Sequence, residues 1–344
     1  VPVARPSFFR PALVAPPFLA GLGVCALLAK LALVANAKAG VPAMLVVLAL
    51  GMGVRLASPR FTAWAAPGIA FAATQVLRGG VALLGFRVVA ADLVALGLPA
   101  LALVIGSVAA TVLGGYVIAR LFRLPEDLSA VSATSVAICG ASAALAASTA
   151  VPRRPGLDRE TVLVILIVSL MSTAAMLAYP VLARSLGFDA DATALLLGAA
   201  IHDVAQVAGA GFAVSEETGV RAVTVKMIRV ACLLPVVLGI SIRFLGGTAD
   251  PQRGRRWRAI RPPTFLLLFF LFAVITSTAL LPPAVSAAAG TLAGGLLTTA
   301  VAAIGLKTGF GELRAARPTL AGALLAQTLW QLALVTGLIL VLGL

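Results

Sequence analysis

Charge is scarce in this sequence. Of its 344 residues, 11% are Asp, Glu, Lys or Arg and 61% are apolar, against about 25% and 45–50% in an ordinary globular domain. A soluble fold is excluded. Aromatic residues make up only 6%, and no basic stretch is interleaved with them, so the stacking platform of a nucleic-acid binder is missing despite a net charge of +14. The three cysteines, Cys25, Cys139 and Cys232, lie inside apolar runs at no metal-ligand spacing and read as small packed hydrophobes. No Gly-x-x-x-x-Gly-Lys-Ser/Thr loop occurs, which argues against ATP hydrolysis in this chain. With neither a Gly-x-Ser-x-Gly elbow nor a His-Glu-x-x-His pair, an intramembrane enzyme would be left with Ser142 and His202 alone, so no catalytic role is expected. Between Val1 and Phe9 the one charge is Arg5, and no small-residue cleavage site follows the first apolar run, so no cleaved signal peptide is expected.

What the chain does have is apolar length. A bilayer core about 30 Å thick takes about 20 apolar residues per helical crossing, and runs bounded by charge, Pro or Gly predict eleven helices. They fall near 13–33, 41–57, 64–86, 95–119, 128–151, 160–183, 191–213, 220–243, 263–281, 284–306 and 319–343. The longest polar stretch, Gly246 to Arg261, holds five arginines and reads as a loop. If every predicted helix crosses the bilayer, sixteen Lys and Arg fall on the side of the N-terminus and seven opposite. That asymmetry predicts a multi-pass membrane protein with its N-terminus cytoplasmic and Leu344 outside.

Ionisable groups inside a bilayer cost about 2.5–3.5 kcal/mol each on insertion scales and are functional candidates by default. Here they are few. The stretch Gly198 to Gly211 contains the only histidine, His202, beside the only deeply placed carboxylate, Asp203, with Gln206 within a turn of both. Lys226 and Arg229 are three apart in the next helix, and Arg78 sits mid-span with Gln75. Three cations against one acid leave a positive interior that an anionic substrate would balance, whereas a cation exchanger would present paired acids.

Ser, Thr and Gly crowd the span from Ser129 to Ala144, which contains Ser135, Cys139, Gly140, Ala141 and Ser142. Such a span can unwind at mid-membrane and turn a half-helix N-terminus toward an anion. Gly290 to Thr299 has the same character. Two internal echoes are visible. Leu84-Gly-Phe-Arg87 with Asp92-Leu93 matches Ile304-Gly-Leu-Lys307 with Glu312-Leu313, in opposite orientations. The stretches Gly140 to Pro180 and Ile201 to Pro235 share an order of small-polar helix, charged loop, apolar helix and proline, yet with eleven crossings they run the same way. The two echoes imply different repeat registers.

Leu77-Arg-Gly-Gly-Val-Ala-Leu-Leu-Gly-Phe-Arg87-Val, Ile138-Cys-Gly-Ala-Ser-Ala143, Ala200-Ile-His-Asp-Val-Ala-Gln-Val207 and Val225-Lys-Met-Ile-Arg-Val230 with Leu234-Pro235 resemble the YeiH-type sulfate exporter family of bacterial inner membranes, over essentially the whole chain. That family is similar to the superfamily of cation/proton antiporters and anion transporters that includes the bile-acid:sodium symporters. The resemblance implies an all-α membrane domain of two inverted sets of five helices, crossed broken helices at the centre, and a mobile core moving against a scaffold or dimerisation panel in a homodimer. On that register 13–33 is an extra helix, 36–183 and 191–344 are the repeats, and predicted helices five and ten are the crossing pair.

Together these readings predict a secondary transporter that carries sulfate, a sulfonate-type or similar small anion across the lipid bilayer by alternating access. Ser135, Cys139, Gly140, Ala141, Ser142 and Gln206 would line the site, Lys226 and Arg229 would supply positive potential, and Asp203 with His202 would carry a coupling H+ or Na+. No resident metal is expected. The runner-up is a cation/proton antiporter using Asp203.

Overall fold

The computed structural model describes residues 15–39, 42–88, 97–244, 264–278, 282–308 and 317–344. The arginine-rich stretch Gly246 to Arg261, and the Asp92-Leu93 and Glu312-Leu313 ends of the first echo, lie outside them. Among the described residues every regular element is helical. Seven helical segments have the length and composition to cross a membrane: Pro16–Lys38, Ala66–Arg87, Gly97–Leu121, Leu157–Ser185, Glu216–Phe244, Ala284–Lys307 and Pro318–Leu342.

The elements follow from local sequence. They are α1 Pro16–Ala39, α2 Ala43–Ala57, α3 Pro59–Trp64, α4 Ala66–Phe71 and α5 Leu77–Leu84, with a π-turn at Ala72–Val76 between the last two. After these come α6 Gly97–Leu121, α7 Glu126–Ala137, α8 Ala141–Ala150, α9 Leu157–Ser185, α10 Ala190–Ala200 and α11 Val204–Val214. The chain continues with α12 Glu216–Ala231, α13 Leu233–Phe244, α14 Thr264–Ser277, α15 Pro283–Lys307 and α16 Pro318–Leu342. Prolines open α3 and α16, where the missing N–H costs nothing. Side-chain caps open α10 at Asp189 and α12 at Ser215, whose oxygens accept the Ala192 and Thr218 N–H groups.

The chain forms two compact units. The smaller takes residues 1–80 with 294–309. In it Phe18 of α1 meets Phe71 of α4 edge-on at 5.2 Å, and Arg55 of α2 donates to the Thr62 hydroxyl at 2.8 Å. The larger unit, residues 81–293 with 310–344, contains almost every residue singled out as a candidate.

In the larger unit the predicted fifth and seventh spans break where their small residues allow, at Ile138 to Gly140 and at Ile201 to Asp203. Neither then runs on in the same direction, as a broken crossing helix would. Asp127, in the first turn of α7, accepts a bond from Arg154 Nε at 2.5 Å, although Arg154 lies four residues beyond the end of α8. A straight path from Asp127 to Arg154 would measure roughly 35 Å, so α7 and α8 form a hairpin. One apolar cluster accordingly holds Leu124 and Leu128 from its start with Val151 and Leu157 from its end.

The same argument applies to α10 and α11. Arg221 of α12 pairs with Asp191 in the first turn of α10 and with Glu217 at 2.7 Å, and Glu217 follows the end of α11 by three residues. Gly198 on α10 and Gly211 on α11 both lie against α12, where a Cβ would collide with Ala222 O and Gly219 Cα respectively. Since α9 separates the two hairpins, with Glu160 at its start joined to Arg154 and its end leading into α10, their mouths lie at opposite ends of it.

Two expectations are thereby corrected. The broken helices are hairpins and not a crossing pair. The second one lies in predicted helix seven, because helix ten (α15) runs unbroken for 25 residues. There Thr298 and Thr299 return their hydroxyls to the Gly294 and Gly295 carbonyls, which spends their polarity within the helix. The predicted span 220–243 is present as Glu216–Phe244, in which α12 and α13 join with a local break at Cys232.

Candidate functional site

The site is the place where the two hairpin tips meet. A helix leaves its last four carbonyls without internal partners, and here two helices, α7 and α10, end inside the protein. Their carbonyls are taken by side chains from elsewhere. Arg229 of α12 donates Nη1 to Gly198 O at 3.2 Å and Ile201 O at 3.3 Å, and Nη2 to Ala137 O and, at 3.5 Å, to Val136 O. A single guanidinium therefore joins both tips. Lys226, one turn earlier, donates to Ile201 O at 2.6 Å. The His202 ring meets Val136 O at 3.2 Å and Thr328 Oγ1 at 3.1 Å, and Gln331 donates to Ala199 O at 3.0 Å. Arg229, Lys226 and His202 are each fully buried. Cations at helix C-termini oppose the negative end of the helix dipole, so these charges have a local reason to be buried.

The second arm of each hairpin begins at the same depth and presents the opposite pole. Gly140 adopts φ +62°, ψ −116°, a conformation that side-chain-bearing residues rarely take, and α8 starts after it with no side-chain cap. Ser135 lies buried and ties this turn together by donating its hydroxyl to Gly140 O at 3.0 Å. Cys139 is buried, Ala141 half-buried and Ser142 exposed. At the other tip, half-buried Asp203 caps α11, accepting the Ala205 N–H at 3.3 Å, while its own N–H donates to Ser172 Oγ at 3.0 Å. Asp203, Lys226 and Arg229 are all within electrostatic reach of Cys139. Gln206, buried on the first turn of α11, donates to Thr173 Oγ1 at 3.4 Å, and its Oε1 has no partner among the described residues.

Ten of the candidate side chains and backbone positions thus lie on the hairpins and on α12. Both His202 ring nitrogens are engaged, by Val136 O and Thr328 Oγ1, and Ser142 is exposed. Arg78 is an exposed residue of α5 in the smaller unit. Sequence reasoning missed Gln327, Thr328 and Gln331 of α16. Gln327 donates to Gly115 O at 3.0 Å and Ser132 Oγ at 3.1 Å, and the other two reach hairpin 190–214 as described. The signal was present: two glutamines four apart in the middle of an apolar span, with Thr328 between them, are costly in lipid unless paired.

The chain matches the family described as Conserved hypothetical protein 698 over residues 18–323. It is 41% identical to the UPF0324 membrane protein TauZ of Paracoccus pantotrophus, over 92% of this chain and 93% of that one. To a UPF0324 membrane protein of Rhizobium meliloti (strain 1021) it is 40% identical, over 94% and 92%. A UPF0324 membrane protein of Chlorobaculum tepidum is 35% identical, over 87% and 82%. None of these names carries an exporter activity. No solved structure matches the chain. With spans of crossing length, a buried polar centre and relatives aligned almost end to end, the chain belongs to the Conserved hypothetical protein 698 family, the UPF0324 proteins, and is a multi-pass membrane protein.

Proposed function

We propose that this protein is a secondary transporter of a small anion, sulfate or a sulfonate-type anion, that works by alternating access with Asp203 carrying a coupling Na+ or H+. One observation carries the reading. At the meeting of the tips, the carbonyl ends of α7 and α10 are occupied by Arg229, Lys226 and Gln331, α11 is capped by Asp203, and α8 starts with no side-chain cap. What is left to offer a ligand is therefore backbone N–H at the positive pole of α8, with Lys226 and Arg229 within electrostatic reach of Cys139 beside it. A cation would find the carbonyls already taken, which disfavours the antiporter reading. Lys226 and Arg229 contribute by cancelling the negative poles rather than by touching the anion.

Treating the hairpins as re-entrant also supports the reading. It moves Arg153, Arg154 and Arg159 to the side of the N-terminus and Arg184 away from it, so sixteen against seven becomes eighteen against five. Positive charge then marks the cytoplasmic side more strongly. The same step turns the stretches Gly140 to Pro180 and Ile201 to Pro235 into oppositely directed copies, the arrangement of inverted-repeat transporters. The test is uptake into proteoliposomes of a panel of labelled anions, including sulfate and simple sulfonates, under imposed Na+ and pH gradients. Accumulation of an anion under one gradient is the expected result. Accumulation of a cation alone would return the protein to the antiporter class.

A further inference from the structure

We propose that Arg154 and Arg221 are matched latches at the mouths of the two hairpins, and that transport proceeds by releasing one while the other holds; this rests on the alternating-access reading above. The observation is a repeated construction. At one mouth Arg154 bridges Asp127, the second residue of α7, to Glu160, in the first turn of α9, at 2.5 Å each. At the other, Arg221 bridges Asp191, the second residue of α10, to Glu217, the second residue of α12. In both cases an arginine ties the entry of a hairpin to the entry of the long helix that follows it. In both cases a second arginine from a distant element adds to the same helix start: Arg317 lies 3.8 Å from Glu160, and Arg87 pairs with Glu216. Chemistry of this kind at two opposite mouths is what a pair of alternately opening gates requires.

The two latches stand in different surroundings. Asp127 and Glu160 are 10% and 18% exposed, beneath the apolar cluster of Leu124, Leu128, Val151 and Leu157. Asp191 and Glu217 are 64% and 65% exposed and border a cavity of about 640 Å3. That cavity follows α12 along Val220, Thr224 and Val225, and Val225 is the residue before Lys226. The structure is thus asymmetric between two equivalent constructions: the acids of the Arg154 mouth are largely buried, and those of the Arg221 mouth are exposed beside a cavity. An exposed ion pair contributes little, whereas a partly buried one is costlier to open. The Arg154 latch accordingly sets which way the protein rests, and Arg221 is the readily released partner. Both are positioning residues that act through the hairpins.

Cys139 at the first tip is the reporter. In protein carrying Cys25→Ala and Cys232→Ala, an impermeant thiol reagent is applied to sealed vesicles from each side, without substrate, and the ratio of the two labelling rates is measured. Arg154→Gln should shift that ratio about fivefold toward the Arg154 side, and Arg221→Gln should shift it the opposite way. Arg154→Lys should give a ratio between those of Arg154→Gln and the parent, since an ammonium keeps the charge but lacks the fork that spans both acids. Ratios that move in the same direction in both variants, or that stay put in both while each remains monodisperse, overturn the proposal. Should Arg154→Gln fail to fold, Glu160→Gln must give the same one-sided shift, and its absence overturns the proposal equally. Because labelling needs no substrate, a protein that moves no anion but shows opposite shifts defeats the anion reading alone. Intact anion uptake with no opposite shifts defeats the latches alone.

Discussion

Arg229 concentrates more of the site's geometry than any other side chain, because its two amino groups reach carbonyls on both tips. Removing it with Arg229→Met leaves the buried carbonyls of Ala137 and Gly198 without their donor. Each such loss costs about 1–3 kcal/mol, so a fall in stability of several kcal/mol is expected, read as a large drop in the detergent unfolding midpoint. Arg229→Lys should recover only part of it, since an ammonium lacks the planar fork that spans two tips. Equal midpoints for Lys and Arg would show that one tip suffices. Asp203 calls for the opposite outcome. Asn caps a helix about as well as Asp, so Asp203→Asn should keep the fold of α11 and its unfolding midpoint. It should lose gradient-driven accumulation in proteoliposomes while retaining exchange. Undiminished accumulation would leave Asp203 as a cap and nothing more.

Among the elements, the first hairpin depends on one backbone conformation. A Cβ at Gly140 would meet only Val168 Cγ1 at 3.6 Å, so there is room for it, but φ +62° with ψ −116° is strained for any side-chain-bearing residue. Gly140→Ala is therefore expected to cost about 1–3 kcal/mol through strain alone. Its anion uptake should fall with the displacement of the α8 N-terminus, even at a temperature where the protein stays folded. Normal uptake in a folded Gly140→Ala protein would take the α8 N-terminus out of the site. By the same logic Ser135→Ala, which removes the hydroxyl bond to Gly140 O but no backbone constraint, should be milder, about 1 kcal/mol.

For the whole molecule the decisive question is sidedness. If α7 and α8 were one broken crossing helix, Arg123 and Arg153 would face opposite sides of the membrane; as a hairpin they face the same side. With cysteines introduced singly as Arg123→Cys, Arg153→Cys and Arg184→Cys, an impermeant reagent should reach the first two only from the side of the N-terminus and the third only from the other. Labelling of Arg123→Cys and Arg153→Cys from opposite sides would dismantle the hairpin, and with it the recount of positive charge.

The sequence by itself determined the solvent in which the chain lives and most of the places where its backbone departs from a helix. Apolar length sets the spans, and runs of small residues around Cys139 and Gly140, or around His202 and Asp203, mark where a helix can open, since both are local properties. It also picked out Lys226 and Arg229, because charge inside an apolar run is visible without any partner. Only the tertiary structure decided that the openings are reversals rather than kinks, and that Gly290 to Thr299 does not open at all. The direction of a break is set by what receives its freed carbonyls: Arg229, Gln331 and His202 lie up to 132 residues away from the groups they bind. A pattern with a period of a few residues carries no record of such partners, so the angle of each turn, and the side on which Arg153 and Arg184 emerge, came from packing alone.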